Sequence, residues 1–319
     1  MLKTLERADP AFRADVINGL SEPIPAIPAR WLYDRRGSEL FDEITRLPEY
    51  YPTRTETALL DAKMPEIARL IPAASAVVEF GAGSATKTPI LLHAVRPRAY
   101  VPIDISGDYL RESAGTIDRD FPDMAVHPVE ADFTNHVELP AAIGDLPRLG
   151  FFPGSTIGNF VPRSATDLLR HFRAILGTGA RLLIGMDRVK GVERLIAAYD
   201  DPQGVTAEFN LNLLRRINRQ LEADIPLDAF RHQARWNDML GRIEMHLVAT
   251  RDVTFSIEDK HFSFAKGATI HTENSHKYGP RGARLLLLAG GWTPLAEWMD
   301  ADEDFALILA EAQRERFAP

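Results

Sequence analysis

The feature that most constrains the fold is a buried-strand pattern that runs directly into a glycine-containing turn and then into a helix. Residues 76–80 are apolar apart from one glutamate, and Gly81 and Gly83 follow them. Apolar residues at helical spacing occupy 88–94, and residues 100–104 predict a second strand that ends in an acid. A strand, a helix and a second strand form the parallel unit of α/β folds, which bind ligands at the carboxyl ends of their strands.

The same alternation continues along the chain and predicts an α/β fold with a doubly wound, mostly parallel sheet. The last predicted strand would enter the sheet antiparallel and bring the number of strands to seven. Further strands are predicted at 124–132, 149–155, 181–186, 292–299 and 305–309, and helices at 109–119, 162–176 and 283–289.

Two segments, residues 1–53 and 191–277, fall outside this alternation and predict a second lobe of α+β character. Apolar residues at helical spacing predict a long helix over 206–221, and 231–236 and 242–255 have the partial alternation of antiparallel strands. We therefore predict one domain from residues 54–190 and 278–319, and a second from residues 1–53 and 191–277.

Composition excludes several functional classes before any motif is considered. The chain has no cysteine, which excludes disulfide scaffolds, thiolate zinc sites and a cysteine nucleophile. Its net charge of −8 argues against nucleic-acid binding. No apolar run approaches the ~20 residues that span a bilayer, and the first residues lack the apolar stretch of a signal peptide. We expect a cytoplasmic monomer without a nucleic-acid or membrane partner.

The turn after the first strand fits three nucleotide-binding patterns to different degrees. Thr86 stands where both the dinucleotide fingerprint and the phosphate-binding loop require a glycine, although Lys87 and Thr88 match the latter. The acid-x-G-x-G turn of class I S-adenosylmethionine (SAM) methyltransferases, which this turn resembles, is matched by Glu79 and both glycines. A tight strand-to-helix turn without a ligand remains an alternative at this point.

Acids at the ends of the next two strands support a nucleoside ligand. Asp104 ends the second strand, where a carboxylate accepts both hydroxyls of a ribose. Both hydroxyls are free in SAM and in NAD, so Asp104 alone does not separate the two ligands. At the end of the third predicted strand, the Asp132 carboxylate can bond the amino group of adenine while Phe133 packs on its ring.

Five further segments form an unusual combination that spans nearly the whole chain. They are L-P-E-Y-Y-P-T-R-T-E at 47–56, G-S-T-I-G-N at 154–159, Y-D at 199–200 followed by G-V-T at 204–206, R-I-E-M at 242–245 and T-E-N-S-H-K at 272–277. Together they closely resemble the histidine Nα-methyltransferases of ergothioneine biosynthesis.

The resemblance implies the trimethylation of L-histidine on its α-amine, with SAM as the methyl donor and hercynine as the product. It implies a class I SAM-methyltransferase fold, with SAM bound by 54–190 and 278–319 and histidine bound by 1–53 and 191–277. Two alternatives remain open: a SAM-dependent N-methyltransferase of another free amino acid such as tryptophan, and a non-catalytic regulator that binds SAM or histidine.

The resemblance also implies a role for individual residues. Tyr50 and Asn159 would act in catalysis, and with Tyr199 they would hold the amine and carboxylate of the substrate. Tyr33 and Phe41 would also be catalytic, as walls of the methyl-transfer site. Glu273 and Ser275 would bind the imidazole, which Met245 would border. The SAM contacts would come from Glu79, Gly81, Gly83, Lys87, Asp104, Asp132 and Phe133. We predict no metal site, because His271 and His276 have no third ligand nearby in sequence.

Overall fold

The computed structural model describes residues 9–314, and the chain divides into two compact units. The first unit consists of the chain up to Tyr51 together with Gly191–Ser275. The second unit consists of Pro52–Lys190 together with the chain from His276 onward. The predicted assignment of SAM to 54–190 and 278–319, and of substrate to the remainder, stays a prediction.

Helices occur in both units, and four of the connections also contain a short 3-10 turn. Among residues 9–314 the α-helices are α1 (Pro10–Ser21), α2 (Arg35–Thr45), α3 (Tyr51–Ala68), α4 (Thr88–Val95), α5 (Gly107–Asp120), α6 (Pro162–Leu176), α7 (Val192–Ala197), α8 (Val205–Gln220) and α9 (Pro280–Ala289). The 3-10 turns are Ala29–Leu32, Ala141–Ile143, Thr156–Asn159 and Leu227–Ala229. In the described part of the chain, no helix is long and apolar enough to span a membrane.

Between residues 9 and 314, the strands form one large sheet and two small ones. In chain order they are β1 (Ala76–Phe80), β2 (Ala99–Asp104), β3 (Ala125–Val126), β4 (Val129–Glu130), β5 (Arg148–Phe152), β6 (Arg181–Asp187), β7 (Phe230–Asn237), β8 (Arg242–Ala249), β9 (Val253–Ile257), β10 (Lys260–Phe264), β11 (Thr269–His276), β12 (Trp292–Met299) and β13 (Phe305–Ala312).

The large sheet of the second unit confirms the predicted α/β architecture. Its strand order is β12, β13, β6, β5, β1, β2 and β3, with β4 also paired to β2. The strands from β6 to β3 run parallel, and β13 lies antiparallel to both β6 and β12. Apolar side chains pack on both faces of this sheet, one face against α6 and α9 and the other against α3, α4 and α5. The sheet is therefore doubly wound, and the last strand enters it antiparallel as predicted.

The third predicted strand, 124–132, is interrupted in the structure. β3 pairs with the first half of β2 and β4 with the second half, in the same register. That register places Pro128 opposite Pro102 of β2, and Pro102 has no N–H to donate to the ladder between them. Two short strands therefore occupy the position for which the sequence predicts one.

The first unit has its own core around α8 and a three-stranded sheet. The sheet has the order β11, β8 and β7, and a separate hairpin joins β9 to β10. Phe209, Leu213 and Ile217 of α8 are buried at helical spacing, which matches the helix predicted at 206–221. The predicted strand at 242–255 is two strands, β8 and β9, which are separated by a turn at 250–252.

Candidate functional site

The turn after β1 is held against the end of β2. Gly81 and Gly83 have φ values of +74° and +50°, in the left-handed region that favours glycine. The Gly83 N–H donates to Asp104 Oδ2 at 3.0 Å, and the Ser106 N–H donates to Asp104 Oδ1 at 2.9 Å. The structure therefore brings together three residues that the sequence predicts at one site, although they are separated along the chain.

The acid and aromatic pair predicted to contact adenine lies beside this turn. A Cβ atom added to Gly81 would lie 3.3 Å from Cε1 of Phe133, so the ring edge contacts the turn closely. The Asp132 carboxylate accepts hydrogen bonds from the Thr134 N–H at 2.9 Å and the Thr134 hydroxyl at 2.6 Å. These bonds fix the local loop, and the Phe133 ring packs against Phe80 and Phe152.

Glu79 lies beneath the turn and is almost fully buried. Its Oε2 accepts hydrogen bonds from the Thr88 hydroxyl at 2.7 Å and the Tyr100 hydroxyl at 2.6 Å. Burial raises the pKa of Glu79 to about 7 because desolvation disfavours the charged carboxylate. Glu79 thus joins β1 to the start of α4 and to β2, which fixes the direction in which the turn leaves the sheet.

Lys87, at the other end of the turn, forms a buried ion pair with Glu56 of α3. Glu56 Oε2 also accepts a hydrogen bond from the N–H of Gly154 at 2.8 Å. Gly154 begins the segment that contains the 3-10 turn Thr156–Asn159, so Asn159 lies on the connection that follows β5. The sequence motif at 47–56 includes Glu56, but its pairing with a lysine 31 residues away has no local signal.

In the first unit, the aromatic residues predicted to form the methyl-transfer site form a continuous cluster. The ring centroids of Tyr33 and Phe41 are 5.6 Å apart, those of Phe41 and Tyr50 are 6.0 Å apart, and those of Tyr50 and Tyr199 are 6.0 Å apart. Phe209 joins the cluster at 5.4 Å from Tyr33. The sequence predicts Phe209 only as part of the apolar face of a helix, because that pattern does not distinguish a site wall from a core residue.

Two polar residues of β11 are buried against this aromatic cluster. Glu273 is 8% exposed and Ser275 is 4% exposed. The Tyr33 hydroxyl donates to Glu273 Oε1 at 3.3 Å, and the hydroxyls of Tyr199 and Ser275 are 2.7 Å apart. Burial, and then the negative charge of Glu273, raise the pKa of Tyr33 well above its usual value. The structure therefore places the predicted imidazole ligands and the predicted aromatic walls in one cluster.

Met245 lies on the neighbouring strand and is fully buried in the core of the first unit. Its carbonyl oxygen accepts a hydrogen bond from the Thr272 hydroxyl at 3.1 Å, which ties β8 to β11 next to Glu273. The backbone of Tyr199 is held by His232, whose Nε2 lies 2.8 Å from the Tyr199 carbonyl oxygen. His232 has no motif in the sequence, and only the fold reveals its contact.

Glu244, His246 and His271 could offer ligand atoms to a metal ion, because these atoms lie within 4.8 Å of one another. The two imidazole rings are stacked, with centroids 4.9 Å apart and an interplanar angle of 20°, and His271 Nε2 lies 3.0 Å from the carbonyl oxygen of Glu273. One oxygen of Glu244 accepts a hydrogen bond from Arg242 Nε at 2.8 Å. We interpret this group as a hydrogen-bonded cluster, and the absence of a metal site stays a prediction.

Comparison with known proteins matches nearly the whole chain to one family. The model of the family described as histidine-specific, SAM-dependent methyltransferases matches residues 12–312. A histidine N-alpha-methyltransferase of Mycobacterium tuberculosis is 42% identical, over 94% of each chain. The protein of the same name from Mycolicibacterium smegmatis is 41% identical, over 96% of each chain. An ergothioneine biosynthesis protein 1 of Neurospora crassa is 27% identical, over 90% of this chain and 33% of its own length.

The environment of Glu79 predicts a pH-dependent stability. Folding raises the pKa of this carboxyl from 4.5 to about 7, so between these values the folded state holds a proton that the unfolded state has released. This group should therefore cost about 3 kcal/mol of stability as the pH rises from 4.5 to 7. Glu79→Gln keeps an acceptor for Thr88 and Tyr100 but cannot ionise, so it should remove this loss.

The measurement is the free energy of unfolding of both proteins by urea at several pH values from 4.5 to 8. Glu112→Gln, which changes an exposed glutamate of the same unit, serves as the control for loss of a negative charge. Parallel stability curves for the wild type and Glu79→Gln would contradict the prediction.

Proposed function

We propose, from the fact that this chain belongs to the family of histidine-specific, SAM-dependent methyltransferases, that it transfers methyl groups from SAM to the α-amine of L-histidine. The family predicted from the sequence motifs is thereby confirmed. The observation that carries the proposal is the 42% identity, over 94% of each chain, to a histidine N-alpha-methyltransferase. The product of three transfers is hercynine, and the likeness to an ergothioneine biosynthesis protein supports a place in ergothioneine synthesis.

The second unit supplies the residues that we assign to SAM. Asp104 would accept the ribose hydroxyls, and Asp132 and Phe133 would bind the adenine. The left-handed glycines support this assignment, because they allow the backbone to approach a ligand without a Cβ clash. Glu79 would support SAM binding indirectly, by holding the turn in place. The two hydrogen bonds that its Oε2 accepts come from the hydroxyls of Thr88 and Tyr100.

The first unit supplies the residues that we assign to the imidazole ring of histidine. The ring presents two nitrogens, and the cluster presents the Glu273 carboxylate and the Ser275 hydroxyl, which is hydrogen-bonded to Tyr199. A carboxylate that accepts the N–H of an imidazole forms a charge-assisted hydrogen bond worth about 1.5–3 kcal/mol. A ring without a suitable N–H donor would lose this charge-assisted hydrogen bond, so this site favours histidine.

The methyl transfer itself needs positioning more than acid–base chemistry. The nucleophile is the neutral amine, because an ammonium has no lone pair, and we assign the hydroxyls of Tyr50 and Tyr199 to hold it. The predicted role of Asn159 in the same task stays a prediction. Positioning an amine near contact distance of the methyl group can lower the barrier by roughly 7–11 kcal/mol.

The aromatic cluster suits a product whose positive charge cannot be removed. Three methylations convert the amine to a quaternary ammonium, which has no N–H donor left. Aromatic faces attract such a cation by ~0.5–2 kcal/mol each, depending on desolvation. Tyr33, Phe41 and Tyr50, whose neighbouring rings lie 5.6–6.0 Å apart, would supply these faces. The cytoplasmic location, the monomeric state and the absence of nucleic-acid and membrane partners stay predictions.

The proposed activity is tested by product analysis. The purified protein is incubated with SAM and an equimolar mixture of the free amino acids, and the products are identified by mass spectrometry. We expect histidine carrying one, two and three methyl groups, with the trimethylated form accumulating last. Preferential methylation of tryptophan would contradict the substrate assignment, and binding of both ligands without any methylated product would contradict the activity.

Glu273→Gln tests the assignment of the imidazole site. The substitution keeps the size of the side chain but replaces a charged acceptor by a neutral one, so the KM for histidine should rise about 10- to 100-fold. The affinity for S-adenosylhomocysteine (SAH), the demethylated form of SAM, should change by less than about 2-fold. Both are measured by steady-state kinetics and titration calorimetry.

The control for Glu273→Gln is Glu208→Gln, which removes an exposed carboxylate of the same unit. It should leave both constants as in the wild type. An unchanged KM for histidine in Glu273→Gln would remove this residue from the site.

A further inference from the structure

We propose that Glu56 is a positioning residue of the SAM site, which holds the Lys87 ammonium where it pairs with the carboxylate of SAM. The proposal rests on the proposed function, because it takes the turn after β1 as part of the SAM site. Glu56 closes the motif at 47–56 that supports the family resemblance, and neither the motif nor the predicted site residues give it a role.

Glu56 contacts two turns at the proposed SAM site. Its side chain is fully buried in the second unit, and its Oε2 receives both the Lys87 ammonium and the N–H of Gly154. The Lys87 side chain is 11% exposed, so it is mostly but not completely shielded from water. One carboxylate oxygen therefore fixes the position of a lysine cation and of a backbone amide from two different turns.

These two turns lie side by side because β1 and β5 are parallel neighbours. Lys87 ends the turn after β1, and Gly154 lies in the turn after β5. The carboxyl ends of neighbouring parallel strands are where α/β proteins bind their ligands. Glu56, which comes from α3, thus links the two turns at the edge of the sheet where SAM is proposed to bind.

The second oxygen of Glu56, which has no hydrogen-bond partner among the described residues, argues against a purely structural role for this carboxylate. Among residues 9–314, Glu56 Oε1 has no hydrogen-bond partner, and it is buried. It lies against Gly185 of β6, where an added Cβ would be only 2.1 Å from Oε1. A buried acceptor without a partner is costly, so a carboxylate retained only to stabilise the fold would be expected to use both oxygens.

The chemistry follows from the number of donors on a lysine. An ammonium has three N–H donors, and the bond to Glu56 uses one of them, which leaves donors for a ligand carboxylate. Pairing in a largely buried place is strong because the local dielectric constant is low. Without the charge of Glu56, the ammonium would be buried without its counter-charge and would no longer be held there.

The test compares two ligands that differ only in the carboxylate. One is SAH, and the other is 5′-S-(3-aminopropyl)-5′-thioadenosine, the same molecule without its carboxylate. In Glu56→Gln, titration calorimetry should show SAH binding weakened about 10- to 100-fold and binding of the second ligand changed by less than about 3-fold. Glu56→Asp, which keeps the charge on a shorter side chain, should recover part of the loss.

Two further variants separate positioning from folding. Lys87→Met should weaken SAH selectively, and adding Glu56→Gln to it should have little further effect, because the first residue acts through the second. Glu311→Gln breaks the Arg181–Glu311 ion pair at the opposite end of β6 and should leave both affinities unchanged. Thermal unfolding of every variant reports whether the protein is folded.

The outcomes distinguish this proposal from the proposed function. Equal weakening of both ligands in Glu56→Gln, or a full further loss in the Lys87→Met background, would overturn the positioning role while leaving the SAM site intact. A wild-type protein that binds both ligands equally, or binds neither, would overturn the SAM-site assignment of Lys87 and the positioning role with it.

Discussion

A carboxylate that is withdrawn from water must receive hydrogen bonds or a counter-charge, and this constraint organises both units of the protein. In the second unit, Glu79 receives the hydroxyls of Thr88 and Tyr100, and Glu56 receives the Lys87 ammonium. In the first unit, Glu273 receives the hydroxyl of Tyr33. All three acids belong to the proposed sites, and the fully buried Asp187 of the second unit, which pairs with Lys190 and Lys277, obeys the same constraint.

The three acids differ in the partner that satisfies them, and the difference fits their proposed tasks. Glu79 is bonded by neutral hydroxyls and has a raised pKa of about 7, which suits a structural brace beneath the turn. Glu56 is bonded by a cation, which suits a residue that presents that cation to a ligand. Glu273 is bonded by a phenol at the comparatively long distance of 3.3 Å, and its carboxylate is a charged acceptor of the kind that suits a ring N–H.

Local sequence patterns predict the large sheet well, because its elements are defined by short-range signals. A strand pattern and the rules for parallel α/β units are enough to predict the strand at 76–80, the glycine turn that follows it and the acid at the end of the next strand. The sequence does not predict the break of the third strand, because only the register shows that Pro102, which has no N–H, lies opposite the middle of that strand. Strand register depends on pairing between distant segments, which single-sequence patterns do not contain.

The residues of the candidate sites also fall into those that local sequence patterns predict and those that they do not. Gly81, Gly83 and Asp104 follow from local pattern, whereas the predicted roles of Tyr33, Glu273 and Ser275 depended on resemblance to a family. Glu56, Phe209 and His232 could not have been assigned from the sequence. The contacts that define them cross 31, 176 and 33 positions of the chain, and each residue alone is typical of an ordinary core or surface position.

The central claim is that a buried glutamate binds the imidazole of the substrate, and nitrogen NMR of the bound ligand tests it most directly. Histidine labelled with ¹⁵N in both ring positions is bound to the protein in the presence of SAH, and the two ring shifts are compared with those of free histidine. If the claim is correct, the bound ring has two distinct shifts that do not follow the titration of free histidine, because one N–H is held by Glu273. Ring shifts that follow the pH as they do in free histidine would contradict it.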